Sequence, residues 1–198
     1  MDTAEYLTSL RKDIEFDAVL AGEPLSFCTT WGLFSPREID EGTRLLADYI
    51  DVATDNDCLD LGCGYGPIGM FLARKAPQGQ TLLVDKDFVA VDYANRNIAR
   101  NKIDNARAIL SNGFDQLPED ARFDVIVSNI PAKVGKELLT LWLHEGLRRL
   151  HPGGRFYVVT INGLRQFMKR NLTQVFGNYK KLKQGKTYTI AVAIKDVD

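Results

Sequence analysis

One stretch of the chain decides the fold, and it reads Cys58-Leu59-Asp60-Leu61-Gly62-Cys63-Gly64-Tyr65-Gly66. The apolar first half predicts a buried strand that ends at Asp60, and Pro67 after the last glycine is a residue favoured in the first turn of a helix. Glycines are expected between them, because the turn needs torsion angles that a β-carbon forbids and because a bound cofactor must approach the main chain closely. The stretch therefore predicts a strand, a cofactor-binding turn and a helix.

From this stretch onward, short apolar strands alternate with amphipathic helices, which is typical of a parallel sheet covered by helices on both faces. Alternation after a turn at Gly185 adds an antiparallel hairpin over 181–196. The expected fold is α/β and Rossmann-like, with a mostly parallel seven-stranded sheet, a C-terminal antiparallel hairpin and helices on both faces. The spacing predicts strands near 57–61, 80–85, 106–110, 123–128 and 153–160, and helices over 67–76, 87–102 and 135–150.

The residues before the first of these strands are less regular. The run Ser35-Pro-Arg-Glu38 resembles a capping box and predicts a helix over 37–50. Residues 1–36 are predicted to contain an N-terminal helix and a small hairpin or lid over 25–34, too short to be a domain. Residues 37–198 then form the main unit of a chain that is a single domain overall.

Composition excludes several classes of protein. The 198 residues, 45% hydrophobic and 26% charged, suit one globular enzyme domain. No apolar run approaches the roughly 20 residues of a membrane span, and residues 1–6 lack a secretory leader, so a cytoplasmic protein without a membrane partner is expected. Three cysteines indicate reduced thiols, and because His144 and His151 lie far from them in the sequence no metal site is expected.

Charge is unevenly distributed along the chain, although the formal net charge is only −1. Residues 1–60 carry 4 basic and 14 acidic side chains, whereas residues 161–198 carry 8 and 2. The basic segment either meets the phosphates of a nucleic acid or forms a solvated lysine-rich face. Charge alone leaves both interpretations open.

A second polar signal lies at the end of the next predicted strand, Thr81-Leu-Leu-Val-Asp85. In dinucleotide-binding folds, a carboxylate about 20 residues after the glycines accepts the hydroxyl protons of a ribose. A helix N-cap is the competing role for Asp85, but Asp87 is better placed for it. The glycines also contain Gly64-x-Gly66-x-x-Gly69, the fingerprint of nicotinamide enzymes; because Gly62 lies nearest the strand, Asp-x-Gly-x-Gly-x-Gly is the better description.

Two further predicted strands end in asparagine. The runs after them are Ser111-Asn112-Gly113 and Asn129-Ile130-Pro131-Ala132-Lys133. An asparagine at a strand exit, followed by proline, places a hydrogen-bonding side chain and a rigid run of carbonyls at the sheet edge where the carboxylates also lie. The alternative for Asn129 is a turn-forming residue without a chemical role.

This order of parts resembles the class I S-adenosylmethionine (SAM)-dependent methyltransferases over roughly residues 37–195. The resemblance implies SAM as cofactor and S-adenosyl-L-homocysteine as product. It implies that Asp85 binds the ribose and that Asn112 receives the adenine amino group, where the family commonly has aspartate. The cofactor contacts it implies are Asp60, Gly62, Cys63, Gly64, Gly66, Asp85, Lys86, Asn112, Gly113 and Asn129.

Within that class, the chain is similar to the methyltransferase small family from about residue 22 onward. The similarity rests on the runs Trp31-Gly-Leu-Phe34-Ser35, Ile39-Asp-Glu-Gly-Thr43-Arg-Leu-Leu, Asn129-x-Pro131 and Gly135-Lys136. Its best-known members methylate the exocyclic amine of guanine in small-subunit ribosomal RNA, which implies RNA or a ribosomal particle as partner. Phe34 and Thr43 are pocket residues by the same resemblance, and both a monomer and a homodimer fit it.

The segment after the fourth strand resembles the Asn-Pro-Pro-aromatic motif of methyltransferases that modify conjugated amino groups. By that resemblance Asn129 and Pro131 are catalytic, since the asparagine oxygen and a carbonyl beside the proline hold the protons of the target amine. Because alanine replaces the aromatic residue, stacking on a flipped base is left to Phe34, Trp31 or Phe114. The substrate contacts implied are Phe34, Ile130, Ala132 and Lys133.

Three functions are compatible with these residues. The leading expectation is methyl transfer to an exocyclic amine of guanine or adenine in ribosomal RNA. A protein amide or a small-molecule amine is the alternative acceptor. A non-catalytic SAM-binding protein is the third interpretation, which the altered Asn-Ile-Pro-Ala motif permits.

Overall fold

The computed structural model describes residues 2–131 and 134–197 of the chain. The first third contains a helix, a hairpin and a short second helix, and regular alternation of strands and helices follows. In chain order the elements are α1 (Thr3–Leu10), β1 (Ile14–Leu20), β2 (Glu23–Thr29), α2 (Glu41–Ala47), β3 (Cys58–Leu61), α3 (Pro67–Lys75), β4 (Thr81–Asp85), α4 (Phe88–Arg100), β5 (Ala106–Leu110), β6 (Phe123–Asn129), α5 (Lys136–Arg149), β7 (Leu150–Ile161), α6 (Arg165–Phe176), β8 (Lys180–Gln184) and β9 (Tyr188–Ile194).

Seven strands form one sheet in the order β5-β4-β3-β6-β7-β9-β8. The five strands from β5 to β7 are parallel, and β9 pairs antiparallel with both β7 and β8. The chain starts in the middle of the sheet at β3, adds β4 and β5 on one side, and then returns to add β6 on the other. The predicted α/β fold with a C-terminal antiparallel hairpin is confirmed.

Helices cover both faces of the sheet, and strand β6 shows how the sequence specifies this. Val125 and Val127 pack on the face covered by α2, α3 and α4, whereas Ile126 between them packs on the face covered by α5 and α6. All three side chains are fully buried. Burial on both faces explains the apolar run of these three residues.

The predicted helix over 37–50 is shorter in the structure and begins later. Helix α2 starts at Glu41, and its N-cap is Asp40, whose carboxylate accepts the main-chain N–H of Thr43 at 3.1 Å. Ser35 does not cap the helix, because its hydroxyl donates to the carbonyl of Glu38 at 2.6 Å and its own φ is +48°. The following proline also disfavours helical backbone at position 35. The predicted cap was therefore wrong by one turn or more.

The hairpin of β1 and β2 lies against helix α4. Its turn consists of Ala21 and Gly22, both with positive φ, as a tight two-residue turn requires. Asn97 exchanges two hydrogen bonds with the main chain of Cys28, at 2.7 and 3.0 Å, and Asn101 does the same with Ser26, at 2.9 and 2.7 Å. The two asparagine side chains thus form the hydrogen bonds with β2 that a neighbouring strand would otherwise form.

Helix α6 was not predicted, although its stripe of Met168, Leu172 and Phe176 is buried against the sheet. Gly177, with a φ of +74°, ends it as a left-handed cap. In the described part of the chain, no helix has the length and apolar character needed to cross a membrane. The division at residue 36 stays a prediction.

Candidate functional site

A cavity of about 510 Å³ opens at the carboxyl ends of the parallel strands. The strand order reverses between β3 and β6, because the chain adds β4 and β5 on one side of β3 and β6 on the other. Open α/β sheets bind ligands at such a reversal point. Polar residues at the ends of β3, β4 and β6 surround it, together with the start of the segment after β5. Its lining includes Phe34, Asp40, Thr43, Asp60, Gly62, Cys63, Gly64, Tyr65, Asp85, Lys86, Ser111, Asn112, Gly113, Asn129, Ile130, Pro131, Trp142 and Tyr188.

The glycine turn after β3 depends on left-handed backbone. Gly62, Gly64 and Gly66 have φ values of +79°, +55° and +97°. A β-carbon at Gly62 or Gly64 would meet no protein atom within 4 Å, so space for a ligand lies beside the bare main chain. One turn into α3, a β-carbon at Gly69 would overlap the side chain of Leu83, so glycine there lets the helix approach strand β4.

Asp60 is buried beneath the turn, with 2% of its surface exposed. Its carboxylate accepts the main-chain N–H of Gly69 at 2.8 Å, which ties the strand to the first turn of α3. Burial raises the pKa of Asp60 to about 7, the Gly69 hydrogen bond opposes this, and the charge of Asp85 adds to it. A cation bound nearby would favour the charged form of this carboxyl.

Asp85, the last residue of β4, stabilises the glycine turn through hydrogen bonds. One carboxylate oxygen accepts the N–H of Gly64 at 2.9 Å and the other accepts the N–H of Asp87 at 3.0 Å. Asp87 is the N-cap of α4, because its side chain accepts the N–H of Val89 at 2.8 Å. Asp85 is therefore free of the capping role, and its remaining lone pairs face the cavity that it lines.

The segment after β5 presents an oriented amide. Asn112 donates its side-chain N–H to Asp115 at 3.2 Å and its main-chain N–H to Gln116 at 3.0 Å, which leaves its side-chain oxygen as an acceptor at the cavity. Gly113, with a φ of +63°, makes room for the indole of Trp142, which a β-carbon would overlap. Trp142 is buried and also lines the cavity.

The end of β6 carries the most constrained side chain of the site. The amide nitrogen of Asn129 lies 3.3 Å from both carboxylate oxygens of Asp40 and 3.0 Å from the hydroxyl of Thr43. A carboxylate attracts the NH₂ end of an amide and repels the oxygen end, so this contact fixes which way the amide points. The Asn129 oxygen is consequently turned away from helix α2.

The residues after Asn129 form one wall of the same region. Ile130 is buried, and its main-chain N–H donates to the carbonyl of Val159 at 3.0 Å, which holds the segment to β7. Pro131 is exposed and lines the cavity. The predicted substrate contacts Ala132 and Lys133 lie outside the described residues.

Of the three aromatic residues considered for stacking, Phe34 alone is in the lining. Phe34 is 66% exposed at the cavity, whereas the Trp31 ring lies under the guanidinium of Arg37 at 4.6 Å. Phe114 is buried in the core beneath α5. Tyr188, at the start of β9, is a lining aromatic that the sequence did not suggest.

Comparison with known protein families gives a match over most of the chain, in which the model of the Methyltransferase small domain covers residues 24–192. The chain belongs to this family. The resemblance recognised in the sequence is thereby confirmed, and the match includes strand β2 as well as the sheet.

Relatives of this methyltransferase small domain include two bacterial proteins and one solved structure. Ribosomal RNA small subunit methyltransferase C of Hamiltonella defensa is 32% identical over 163 residues, 80% of this chain and 47% of that protein. The uncharacterized protein YbxB of Bacillus subtilis is 30% identical over 141 residues, 71% of this chain and 70% of that protein. The T. thermophilus 16S rRNA N2 G1207 methyltransferase (RsmC), solved in complex with AdoMet and guanosine, superposes with a TM-score of 0.84 at 29% identity, covering 92% of this chain and 50% of that one.

The chain thus spans about half the length of the ribosomal RNA methyltransferases that it matches. In this methyltransferase small domain, the described residues predicted to bind the cofactor or the substrate line the cavity, except Gly66, which shapes the turn from outside the lining. The stacking candidates Trp31 and Phe114 also lie outside the lining. Sequence reasoning did not predict that Asp40, Trp142 and Tyr188 line the cavity. Within residues 2–131 and 134–197, no group of three or more His, Cys, Asp or Glu side chains is arranged to hold a metal ion.

Proposed function

We propose that the chain is a SAM-dependent methyltransferase that acts on the exocyclic amine of guanine in ribosomal RNA. The observation that carries the proposal is the orientation of Asn129. Its NH₂ end is held by Asp40 and Thr43, so its oxygen is left to accept a proton of an incoming amine next to Pro131.

The residues around the glycine turn fit SAM. The bare main chain at Gly62 and Gly64 leaves room that a β-carbon would fill. Asp85 has lone pairs for the ribose hydroxyls, and the Asn112 oxygen suits the adenine amino group. When bound, the cofactor supplies a methyl group carried on a positively charged sulfur. Ionised Asp60 would contribute negative charge beneath such a cation.

At the end of the cavity that receives the methyl acceptor, the protein acts by positioning the target amine. The target amine donates one proton to the Asn129 oxygen and the other to a main-chain carbonyl beside Pro131, which turns the nitrogen lone pair away from its conjugated ring. Orientation of this kind, together with fixed dipoles, supplies most of the acceleration of an in-line displacement. The nitrogen gains the methyl group and afterwards loses one proton to solvent, so no general base acts before transfer.

RNA as the acceptor is supported by the relatives and by charge. Two of the named relatives are ribosomal RNA methyltransferases, and one was solved with guanosine. Residues 161–195 carry 8 basic side chains and no acidic one. In the described part of the chain, none of these cations forms an ion pair. A phosphate backbone attracts cations that have no other partner. With ribosomal RNA as substrate, the proposal includes the cytoplasmic location that the sequence predicts.

Transfer of tritium from labelled SAM tests the proposal. We expect incorporation into ribosomal RNA or a pre-ribosomal particle, and digestion to nucleosides should place the label in a guanosine methylated on its amine. Label in protein or in a small amine would support the alternative acceptors instead. No incorporation at any stage of assembly, with SAM binding intact by calorimetry, would leave a non-catalytic SAM-binding protein.

A further inference from the structure

Asp40 is a carboxylate beside Asn129 in the lining of the cavity, and the mechanism above does not use it as a substrate contact. We propose that Asp40 reads the base: its carboxylate accepts the ring N1–H of guanine, beside the amine that Asn129 holds. This inference rests on the proposed function and deepens it, because it names the feature of the base that the site selects.

The carboxylate has acceptor capacity left for a ligand. Oδ1 accepts the N–H of Thr43 at 3.1 Å, and the NH₂ of Asn129 lies 3.3 Å from both oxygens. An ionised carboxylate offers about four lone-pair positions, so at least one on Oδ2 is unused among the described residues. Asp40 is half-buried and lines the cavity, so a ligand there can reach it.

The charge of Asp40 is also not neutralised by a neighbour. Arg44, one turn further along α2, directs its guanidinium to the main-chain carbonyls of Ile39 and Val19 at 3.1 and 3.2 Å. None of the ion pairs formed by residues 2–131 and 134–197 includes Asp40. A carboxylate without a cation forms the stronger, charge-assisted hydrogen bonds with a ligand donor.

The surroundings hold the carboxylate in place. A β-carbon at Gly42 would lie 3.0 Å from Oδ1 of Asp40 and 3.1 Å from the ring of Tyr188. Glycine at this position therefore allows the carboxylate, the helix and the aromatic ring to pack together. The acceptor is preorganised, because N-capping, the Asn129 contact and this packing all fix the same side chain.

Two acceptors side by side match guanine and not adenine. The Asp40 carboxylate is the hydrogen-bond partner of the Asn129 amide, and both side chains line the cavity, so a base whose amine meets the Asn129 oxygen presents its neighbouring ring position toward Asp40. Guanine presents two adjacent donors there, its 2-amine and N1–H, whereas adenine presents an amine beside a bare N1 lone pair. Because flipped bases are recognised through their Watson–Crick edge, a carboxylate at this point attracts guanine and repels adenine.

The test uses two nucleosides that share the 2-amine and differ at N1 and at the 6-substituent, and the Asp40→Asn variant identifies which difference Asp40 senses. Guanosine has N1–H, whereas 2,6-diaminopurine riboside has an N1 lone pair. Binding of each to the full chain saturated with S-adenosyl-L-homocysteine is measured by calorimetry. We expect the wild type to prefer guanosine by roughly tenfold, the discrimination of a good hydrogen-bonded pair, and Asp40→Asn, whose amide turns its NH₂ toward N1, to reverse the order.

Two variants separate recognition from positioning. Thr43→Val removes a contact of Asn129 without touching the carboxylate, so it should lower methyl transfer and keep the preference for guanosine. Asp48→Asn makes the same chemical change at the exposed end of α2 and should keep both. Thermal melts check folding, and asparagine caps a helix as well as aspartate does.

Equal weakening of both nucleosides by Asp40→Asn would overturn the inference, since Asp40 would then only position Asn129. A wild type that binds the two nucleosides equally, or binds neither, would overturn it as well. Failure of the proposed function looks different: the wild type would transfer no label to any base of RNA.

Discussion

The two halves of the cavity hold their polar groups by different means. In the cofactor half, Asp85 braces Gly64, 21 residues away, and Asn112 is fixed by residues within its own loop. In the acceptor half, Asn129 is held by Asp40 and Thr43, which lie 89 and 86 residues away along the chain. The cofactor half is thus a local property of consecutive strand ends, whereas the acceptor half exists only once helix α2 packs against strand β6.

The largest effect is expected from Asn129→Ala. Removing one preorganised polar group from a reacting centre costs on the order of 10²–10³ in kcat, so methyl transfer should fall by about that factor. Affinity for SAM should fall by a smaller factor, because the ribose and adenine contacts lie in the other half. Tritium transfer and calorimetry measure the two quantities, and an equal loss in both would contradict the independence of the halves.

Asp85→Asn should affect the cofactor half instead. A hydrogen bond to a charged group contributes about 1.5–3 kcal/mol, so SAM affinity should fall by at least about tenfold while the acceptor geometry is retained. Asp87→Asn is the matched control, since asparagine is an equally good N-cap. Similar affinities for the two variants, measured by calorimetry, would remove Asp85 from the ribose site.

A smaller effect is expected from the lysines in and after β8, the edge strand on the β6 side of the sheet. Changing Lys180, Lys183 and Lys186 together to glutamine should weaken RNA binding and make the slope of log affinity against log salt shallower, by about 0.7–0.9 for each phosphate that is no longer neutralised. The matched triple change of Lys102 and Arg107, near β5, and of Arg122, just before β6, should leave RNA affinity unaltered. Filter binding over a salt series measures both, and an equal weakening by the two triple changes would place the RNA elsewhere.

A separate effect, on stability and not on binding or transfer, concerns pH. Burial raises the pKa of Asp60 to about 7, so between about pH 4 and pH 7 the native chain retains a proton that the unfolded chain has released. The contribution of Asp60 to the free energy of unfolding therefore falls as pH rises through this window. Melting curves should show Asp60→Asn gaining stability relative to the wild type as pH rises, and a constant difference would contradict the raised pKa.

The same contrast decides how much could be predicted from sequence. The seven-stranded sheet and the turn after β3 were predicted because glycine, proline and strand-end carboxylates act on their immediate neighbours. Asp40 was missed, although the Asp40-Glu-Gly42-Thr43 run was noticed, because its partner is remote in sequence. Helix α6 was missed since its apolar stripe lies among lysines and arginines, and α2 was started too early since Ser35 bonds locally.

The docking of the hairpin on α4 has a consequence for how this region tolerates mutation. Asn97 and Asn101 bond to main-chain atoms of residues 26 and 28, and Asn97 also donates to the carbonyl of Tyr65 in the glycine turn. Side chains on that edge of the hairpin are free to change without loss of these bonds. The two asparagines are not, because the main chain of buried Cys28 and of partly buried Ser26 would lose its partners. At this contact the hairpin contributes main-chain atoms and the helix contributes side chains, so substitutions that break it fall on α4.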